Sequence, residues 1–396
     1  MLGGGITGCL TACLLADDGL DVVIIEQRPQ LMEAASRWND GKIHLGYTFQ
    51  GTPSLATAAL MQEGAAVFLP ILEQVLGTPV PAGAFGGPVV YLVDEASLVS
   101  PDTLWERARS VAELLAGSLD RLPGLRRFAR AEPLLERLDP VSASLLTGQA
   151  GVAAAWRTSE VHVSAGVVAE LVRAAVERRD ISVITGRADR IVSGGRQWQV
   201  TTGDLDVIMA DAVINCTWEG RAVLDRQVRT ATDPVSIRYK HCLLGRTTSI
   251  PAGWQSSTRI LGRFGDVAIY RNGEAYLSWY PAAMIARSDD GTPPQVPAVD
   301  ERAMVEATLQ GLGLPVTEGA AADWHVGGGY VVAHGYGDID RLDSPLHDRS
   351  RPAVVELAPG YLTVDTGKYT LGPMLARKAA RAVVSLLAAQ PRVPSL

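Results

Sequence analysis

The sequence is poor in cysteine and has no long apolar run. The four cysteines among its 396 residues form neither a C-x-x-C pair nor a metal-ligand spacing, which argues against a disulfide-stapled secreted domain and a cysteine zinc site. No segment reaches the length that a transmembrane helix needs, and the start lacks the basic region of a signal peptide. We therefore expect no membrane span and no bound metal, a reducing cytoplasmic location, and buried positions for Cys9 and Cys13.

Positive charge is not in excess either. Lys and Arg number 36 against 43 Asp and Glu, so the net charge is −7 and the isoelectric point is near 5.5. This balance argues against nucleic acid as the main partner. The chain is 47% apolar and 20% charged, which is typical of a globular protein rather than a disordered one. Its length allows two domains and a sizeable core.

The first eight residues contain a glycine pattern. Gly3, Gly5 and Gly8 form G-x-G-x-x-G, a helical pattern follows, and an apolar run then ends at Glu26. This order of turn, helix, strand and acid is the βαβ dinucleotide-binding fingerprint. The glycines permit a tight turn, a close approach to pyrophosphate and close helix packing, while Glu26 can accept hydrogen bonds from a ribose. The alternative is a glycine-rich turn before a buried helix.

The strand that should lead into this turn is almost absent, because only Met1 and Leu2 precede Gly3. A strand usually has about five residues. Either the chain is truncated or its true start lies upstream. We expect the shortened strand to weaken the sheet.

The rest of the chain alternates between two kinds of pattern. Helices are predicted at 53–77, 101–115, 122–146, 164–179, 300–312 and 373–387. Strands are predicted at 89–93, 160–163, 181–185, 189–192, 198–201, 206–209, 211–217, 236–244, 258–261, 267–270, 274–280, 324–332, 354–356 and 361–364, with Asn272-Gly273 as a hairpin turn.

The two ends of the chain are therefore predicted to form βαβ units, and the middle is predicted to form antiparallel strands. We predict an α/β fold in which a discontinuous Rossmann-like nucleotide-binding domain, a parallel sheet with helices, carries an inserted antiparallel-sheet substrate domain. The first would comprise residues 1–80, 150–232 and 335–396, and the second 81–149 and 233–334.

Five segments together resemble a known family. They are the fingerprint 3–26, the Ser/Asn/Gly-rich loop 36–44, the helix and strand of 160–191, the strand 213–217 in place of an N-A-T-G motif, and the segment 366–370 before the last helix. In these segments the chain resembles the D-amino-acid-oxidase-like FAD-dependent oxidoreductases, which include sarcosine and glycine oxidases. Lys42-Ile43-His44 is similar to the basic loop of the more distant flavin-linked glycerol-3-phosphate dehydrogenases.

The resemblance implies FAD as the cofactor, bound non-covalently because no cysteine lies near Lys368. It implies that a backbone group near Ala188 pairs with the adenine. The cofactor-binding residues it implies are Gly3, Gly5, Ile6, Thr7, Gly8, Glu26, Gln27, Arg28, Ser36, Asn39, Gly41, Ala188, Cys216, Thr217, Gly367, Lys368, Tyr369 and Thr370. Three features depart from the family: Trp218 replaces the glycine of N-A-T-G, the first strand is nearly absent, and the segments 262–266 and 278–281 match no branch of known substrate.

Lys42, His44 and Lys368 are the candidate catalytic residues. A flavin that accepts a hydride gains negative charge, which Lys368 and the N-terminus of the last helix would stabilise. His44 suits the removal of a proton from an amine or alcohol, and Lys42 suits pairing with a substrate anion. The alternatives are a surface lysine at Lys368, and a loop in which one basic residue faces the flavin and the other is solvated.

The inserted domain offers a second set of candidates. Arg238 and Lys240 alternate with Ser236 on one strand face, and Tyr280 lies on another strand, so a sheet above the flavin could clamp an anionic substrate. The alternative is a solvated basic face and a core tyrosine.

The resemblance implies an oxidoreductase that oxidises a C–H bond next to an amine or hydroxyl of a small polar substrate by hydride transfer to flavin. Oxygen or a carrier would reoxidise the flavin. Two alternatives stay open: an NAD(P)-dependent dehydrogenase, since the fingerprint alone does not separate dinucleotides, and a catalytically inactive flavin-binding module.

Overall fold

The computed structural model describes residues 1–51, 54–129, 133–203, 207–230, 233–261, 265–316, 319–339 and 341–389. Pro53 and Asp206 of the predicted elements, and 262–264 of the unmatched segment, lie outside these residues. The helices are α1 Ile6–Asp17, α2 Ala56–Leu76, α3 Pro101–Ser118, α4 Pro140–Thr147, α5 Ala165–Glu177, α6 Arg221–Val228, α7 Tyr280–Ala283, α8 Glu301–Gly311 and α9 Gly372–Ala389.

Most strands lie where they are predicted. The strands are β1 Val23–Glu26, β2 Lys42–Ile43, β3 Val90–Asp94, β4 Leu135–Leu138, β5 Val152–Thr158, β6 Val161–His162, β7 Ser182–Thr185, β8 Ala188–Ser193, β9 Trp198–Thr202, β10 Val207–Ala210, β11 Val213–Asn215, β12 Val235–Arg246, β13 Ser257–Ile260, β14 Gly265–Ile269, β15 Glu274–Trp279, β16 Met284–Ser288, β17 Trp324–His334, β18 Val354–Ala358 and β19 Tyr361–Val364. However, β2, β4, β5 and β16 are not among the predicted strands, and Tyr280, predicted on a strand, begins α7 instead.

Leu2 joins two pairs of strands into one largely parallel sheet. β1 pairs with β7 and β11 pairs with β19, both in parallel. Leu2 lies between them, since its N–H donates to Ile214 O at 2.9 Å, its carbonyl accepts from Cys216 N at 2.8 Å, and Gly3 N donates to Ile25 O at 2.9 Å. The order is therefore β7, β1, Leu2, β11, β19 and the antiparallel β18. Leu2 therefore fills the central position and bonds to β11 itself, while Met1 O and Gly3 N beside it bond to Ile25 of β1.

Helices cover this sheet. α1 is buried from Ile6 to Leu15, with Cys9 and Cys13 wholly enclosed as predicted, and it packs against α9 and α5. Within the described residues, α2 alone is long and apolar enough to cross a membrane. Its apolar face, which includes Phe68 and Leu72, lies in the core of the protein.

The second large sheet has nine strands in the order β16, β12, β15, β14, β13, β3, β5, β4, with β17 also paired to β12. The Asn272-Gly273 turn joins β14 to β15 as predicted, because Gly273 N donates to Tyr270 O. β8, β9 and β10 form the predicted small antiparallel layer. The domain boundaries stay a prediction, although β5 pairs with β3 and β4, so strand pairing continues past residue 150.

The predicted helix at 122–146 is wrong. The segment holds a 3-10 turn at Pro123–Arg127, then β4 and α4. Proline lacks the N–H that a helix interior needs, and it is tolerated in the first turn. Pro123 and Pro140 accordingly each open a new element, with Asp139 capping α4 by accepting from Ser142 N at 2.8 Å.

Candidate functional site

The glycine turn sits directly against the start of α1. A Cβ added to Gly8 would lie 2.0 Å from Gly3 O, and Gly3 has φ +92°. Gly5 carries no side chain to cap the helix, while Ile6 N donates to Ser36 Oγ at 2.9 Å. An uncapped helix N-terminus presents N–H groups and a positive dipole, so this turn fits an anionic phosphate.

Glu26 lies beside the turn at the end of β1. Its carboxylate accepts from Gly4 N at 2.6 Å and from Arg28 N at 2.9 Å, and Gln27 is exposed. Nε of Arg28 is buried, and no hydrogen-bond partner for it is found among the described residues. A ligand oxygen would satisfy that donor, so the residues around the turn fit an anionic nucleotide.

Trp218 retains the backbone conformation that a glycine would adopt. Its φ is +55°, in the left-handed region that favours glycine. The indole lies against β17, where Nε1 donates to Tyr330 O at 2.8 Å. Beside it, Asn215 Oδ1 accepts from Thr217 Oγ1 at 2.7 Å, and the Cys216 carbonyl lies against Gly3. The strand end therefore keeps its turn without the glycine.

The segment before α9 contacts both the glycine turn and the basic loop. Thr366 Oγ1 lies 2.8 Å from Thr7 Oγ1, and Gly367 N donates to Asp365 Oδ1 at 3.0 Å. Thr370 Oγ1 accepts from His44 N at 2.9 Å and donates to Lys42 O at 3.1 Å. The Tyr369 hydroxyl is buried, with no hydrogen-bond partner in the part of the chain that the structure describes.

Other predicted cofactor residues have structural contacts of their own. Asn39 shapes the loop, because its amide donates to Ala35 O at 2.8 Å and its Oδ1 accepts from Gly41 N at 2.7 Å. Ala188 begins β8, opposite Thr202 of β9. Contact between any of the predicted cofactor residues and a nucleotide stays a prediction.

Lys42 of β2 is buried in an ionic cluster with Asp40 and with Asp266 of β14. Its ammonium lies 3.0 Å from Asp266 Oδ1 and 3.3 Å from Asp40 Oδ2, and it donates to Thr258. Burial disfavours the charged form, but Asp266 and Asp40 outweigh burial and raise the pKa of Lys42. Asp40 also lies 3.5 Å from His162 Nε2. The structure thus gives Lys42 an anchoring contact, and its catalytic role stays a prediction.

His44 follows β2 and is almost wholly enclosed. Its Nδ1 lies 3.4 Å from Thr48 Oγ1, and its ring centroid is 5.2 Å from that of Phe49. Burial lowers the pKa of His44 well below its usual range, and the nearby charges of Lys368 and Lys42 lower it further. The imidazole is therefore neutral at pH 7, and one of its ring nitrogens carries a free lone pair.

The charges of three other basic residues, Arg349, Lys240 and Lys42, act on Lys368. Lys368 stands 5.5 Å from the Phe49 ring centroid. Burial, the charge of Arg349, and those of Lys240 and Lys42 lower the pKa of Lys368 to about 7, against the opposing effect of Asp40. Burial and Arg238 likewise lower the pKa of Arg349 to about 10.

The alternative that the strand face of Arg238 and Lys240 is exposed to solvent is wrong. Arg238 is 4% exposed and Arg349 8% exposed. Lys240 is half-buried and donates to Tyr280 OH at 3.2 Å, with its ammonium 4.3 Å from the Tyr280 ring centroid. Arg349 lies in an irregular segment where no sequence pattern distinguishes it. Asp266 and Glu160 are also not among the predicted site residues. The sequence feature that could have identified them is a carboxylate within an otherwise buried strand region.

The comparisons with known proteins agree with this geometry. A family model described as DAO, FAD-dependent oxidoreductase, matches residues 2–277, which is more than half of the chain. Among curated proteins none matches the sequence.

Solved structures share the fold. Glycine oxidase from Geobacillus kaustophilus is 15% identical, with a TM-score of 0.67 over 99% of this chain and 94% of that one. Iminodiacetate oxidase from Chelativorans sp. BNC1 is 16% identical, with a TM-score of 0.64 over 99% and 96%. L-α-glycerophosphate oxidase from Mycoplasma pneumoniae, solved with FAD bound, is 14% identical, with a TM-score of 0.65 over 100% and 95%.

Proposed function

Because the chain belongs to the DAO family of FAD-dependent oxidoreductases, we propose that it oxidises a C–H bond next to an amine or hydroxyl of a small substrate that carries a carboxylate or phosphate. FAD is the cofactor, and it accepts the hydride when bound. The glycine turn, Ser36, Glu26, Arg28 and the 366–370 segment are the groups that would hold it, and we expect the attachment to be non-covalent.

The buried basic residues carry this proposal. Arg238, Lys240, Arg349 and Lys368 are close enough for their charges to influence one another. Gathering like charges away from water is costly, and a bound anion reduces that cost. The three solved relatives are named for glycine, iminodiacetate and glycerophosphate, each of which carries such an anionic group. A carboxylate or phosphate substrate would therefore be bound by charge-assisted hydrogen bonds.

His44 supplies the proton acceptor in this proposal. Its imidazole and the Lys368 amine both lie against the ring of Phe49, whose centroid is 5.2 Å from that of the imidazole and 5.5 Å from Lys368 Nζ. A substrate whose anion pairs with Lys368 would therefore bring its amine or hydroxyl proton toward the histidine. Removal of that proton accompanies loss of the hydride. Oxygen or a carrier is the proposed electron acceptor. A cytoplasmic setting is proposed as well, since the four cysteines are buried and free.

Anaerobic bleaching of the flavin absorption bands tests this proposal. Glycine would be compared with methylamine, and glycerol phosphate with glycerol, so that each pair differs in the anionic group. We expect bleaching only by an anionic member. The Lys368→Met variant should raise KM at least about tenfold, the loss of one charge-assisted contact, whereas Lys378→Met, at an exposed position of α9, should not. Equal bleaching by charged and uncharged analogues would contradict the anionic substrate.

A further inference from the structure

Glu160 is a fully buried carboxylate that the mechanism above does not use. It lies between β5 and β6 with 0% exposure. Its Oε1 accepts three backbone N–H groups in succession, from Leu45 at 2.6 Å, Gly46 at 3.0 Å and Tyr47 at 3.2 Å. A carboxylate so bound fixes the loop that begins at His44.

The other oxygen of Glu160 begins a chain of hydroxyl groups. Tyr91 OH donates to Glu160 Oε2. Thr48 Oγ1 lies 2.6 Å from Tyr91 OH, and His44 Nδ1 lies 3.4 Å from Thr48 Oγ1. These hydrogen bonds form a relay that runs from the Glu160 carboxylate through the hydroxyls of Tyr91 and Thr48 to the His44 imidazole.

The direction of each hydrogen bond follows because Tyr91 and Thr48 each have a single hydroxyl hydrogen to donate. Burial raises the pKa of Glu160, whereas Lys42 and the hydrogen bonds from Tyr91, Leu45 and Tyr47 lower it. With Glu160 ionised, the hydroxyl of Tyr91 donates its one hydrogen to the carboxylate, so Tyr91 can only accept from Thr48. Thr48 then has no proton left for His44, and its oxygen can only accept. The imidazole nitrogen that faces Thr48 must therefore carry the hydrogen.

We propose that Glu160, Tyr91 and Thr48 are positioning residues that hold His44 as the Nδ1–H tautomer and so leave the Nε2 lone pair for the substrate proton. This inference rests on the proposed role of His44 as proton acceptor. A carboxylate relayed through hydroxyls would orient the base, as a directly bonded carboxylate does in other enzymes.

The charged groups around His44 do not compete for Nδ1. Lys368 precedes α9, Lys42 lies on β2, Asp40 precedes β2, and His162 lies on β6. Within the described residues, Thr48 is the one side chain that hydrogen-bonds the His44 ring. Burial and Glu160 together raise the pKa of Tyr91 well above its usual range. The phenol therefore keeps the proton that it donates to Glu160, and this proton sets the direction of the other hydrogen bonds in the relay.

Glu160→Gln reverses the donor and acceptor of each hydrogen bond in this relay without changing the positions of the side chains. The three N–H groups require an oxygen at the Oε1 position, so the amide nitrogen of glutamine would take the Oε2 position and donate to Tyr91. Tyr91 would then donate to Thr48, and Thr48 to His44 Nδ1. The proposal therefore predicts that this substitution converts His44 to the Nε2–H tautomer.

The test uses the FAD-loaded enzyme with ¹⁵N-labelled histidine. Long-range ¹H–¹⁵N spectra distinguish the two tautomers, and the signal absent from a His44→Gln variant identifies His44. We expect Nδ1–H in the wild type and Nε2–H in Glu160→Gln, together with a fall in kcat of about 100-fold, within the range of general-base effects, and little change in KM. Wild-type Nε2–H, or an unchanged tautomer in Glu160→Gln, would overturn the proposal.

Further variants separate the relay from loop stability. Thr48→Val should leave a mixture of tautomers and Thr48→Ser should restore Nδ1–H, which keeps the test open if Glu160→Gln does not fold. Gln62→Met is the control, because Gln62 Nε2 donates to Leu45 O at 3.0 Å outside the relay, and it should leave the tautomer unchanged. A shift in Gln62→Met would mean that loop packing sets the tautomer. If the tautomers follow the prediction while His44→Gln still turns over substrate normally, the relay stands and the proposed base fails.

Discussion

The glycine turn is built in the opposite way to the basic chamber, which comprises the buried and half-buried side chains of Lys42, Arg238, Lys240, Arg349 and Lys368. At the turn, neighbouring backbone groups set the shape, and a Cβ on Gly8 would lie 2.0 Å from Gly3 O. In the chamber, side chains from distant parts of the chain meet, as Lys42 and Asp266 do across 224 residues. The turn is therefore specified locally by the absence of side chains, whereas the chamber depends on the balance of buried charges.

Gly8→Ala should have the largest effect, because the new methyl group would press on a backbone carbonyl that cannot rotate away. We expect a loss of more than about 3 kcal/mol in the free energy of unfolding, together with loss of FAD. Denaturant unfolding and visible absorption measure the two effects. Gly117→Ala is the control, since nothing lies within 4 Å of its Cβ position in α3, and it should be neutral or stabilising by up to about 1 kcal/mol. Retention of FAD in Gly8→Ala would refute the local view of the turn.

Asp266→Asn tests the chamber by leaving Lys42 with one carboxylate instead of two. We expect a destabilisation of about 2–3 kcal/mol, somewhat below the cost of leaving a buried charge wholly unpaired, measured by denaturant unfolding. Glu306→Gln removes the partner of Arg302 in an exposed i,i+4 pair and should change stability by less than about 0.5 kcal/mol. Equal effects from the two substitutions would show that burial of Lys42 does not matter.

The charge state of Lys368 predicts proton uptake when an anion binds. With a pKa of about 7, the amine is mostly neutral at pH 8. A bound carboxylate favours the ammonium and raises that pKa, so close to one proton should be taken up at pH 8 and little at pH 5.5, where the amine is already charged. Calorimetric titration with acetate in buffers of different ionisation enthalpy measures the uptake. Lys368→Met should abolish it, and uptake that persists in that variant would assign the proton to another group.

Trp218→Gly should have the smallest effect. Glycine relieves the strain of φ +55° but loses the indole packing and the hydrogen bond to Tyr330 O. These terms are of similar size, so the free energy of unfolding should change by less than about 1 kcal/mol. A thermal melt beside the matched Trp218→Phe variant, which keeps the strain and loses the hydrogen bond, separates the two contributions. A loss well above that limit would mean that the indole stabilises this strand end by more than the strain costs.

Local signals predicted the features that local geometry controls. The glycine turn and the Asn272-Gly273 hairpin occur where the sequence indicates them. The predicted helix 164–179 begins at Ser164, which caps α5 because its Oγ accepts from Val167 N at 3.2 Å. Each of these depends on a few adjacent residues, so the pattern contains the physical cause.

The chamber could not be predicted in the same way. Arg238 and Lys240 alternate along β12 as they would on a solvated face, and only the fold shows that this face is covered. Arg349 has no periodic context, and the relay from Glu160 to His44 requires knowledge of which strands meet. Side-chain pairs between distant segments leave no mark in the pattern of either segment.

The bond between Thr7 and Thr366, 359 residues apart in the chain, has a consequence for folding during synthesis. α1 leaves the ribosome long before α9, which packs against it and follows the strands of both sheets in the chain. Until then the apolar surface of α1 has no complete partner, so the nascent chain is exposed to misassociation for most of its translation. Because α1 and α9 depend on each other in this way, the site around Thr7 and Thr366 can form only late in folding.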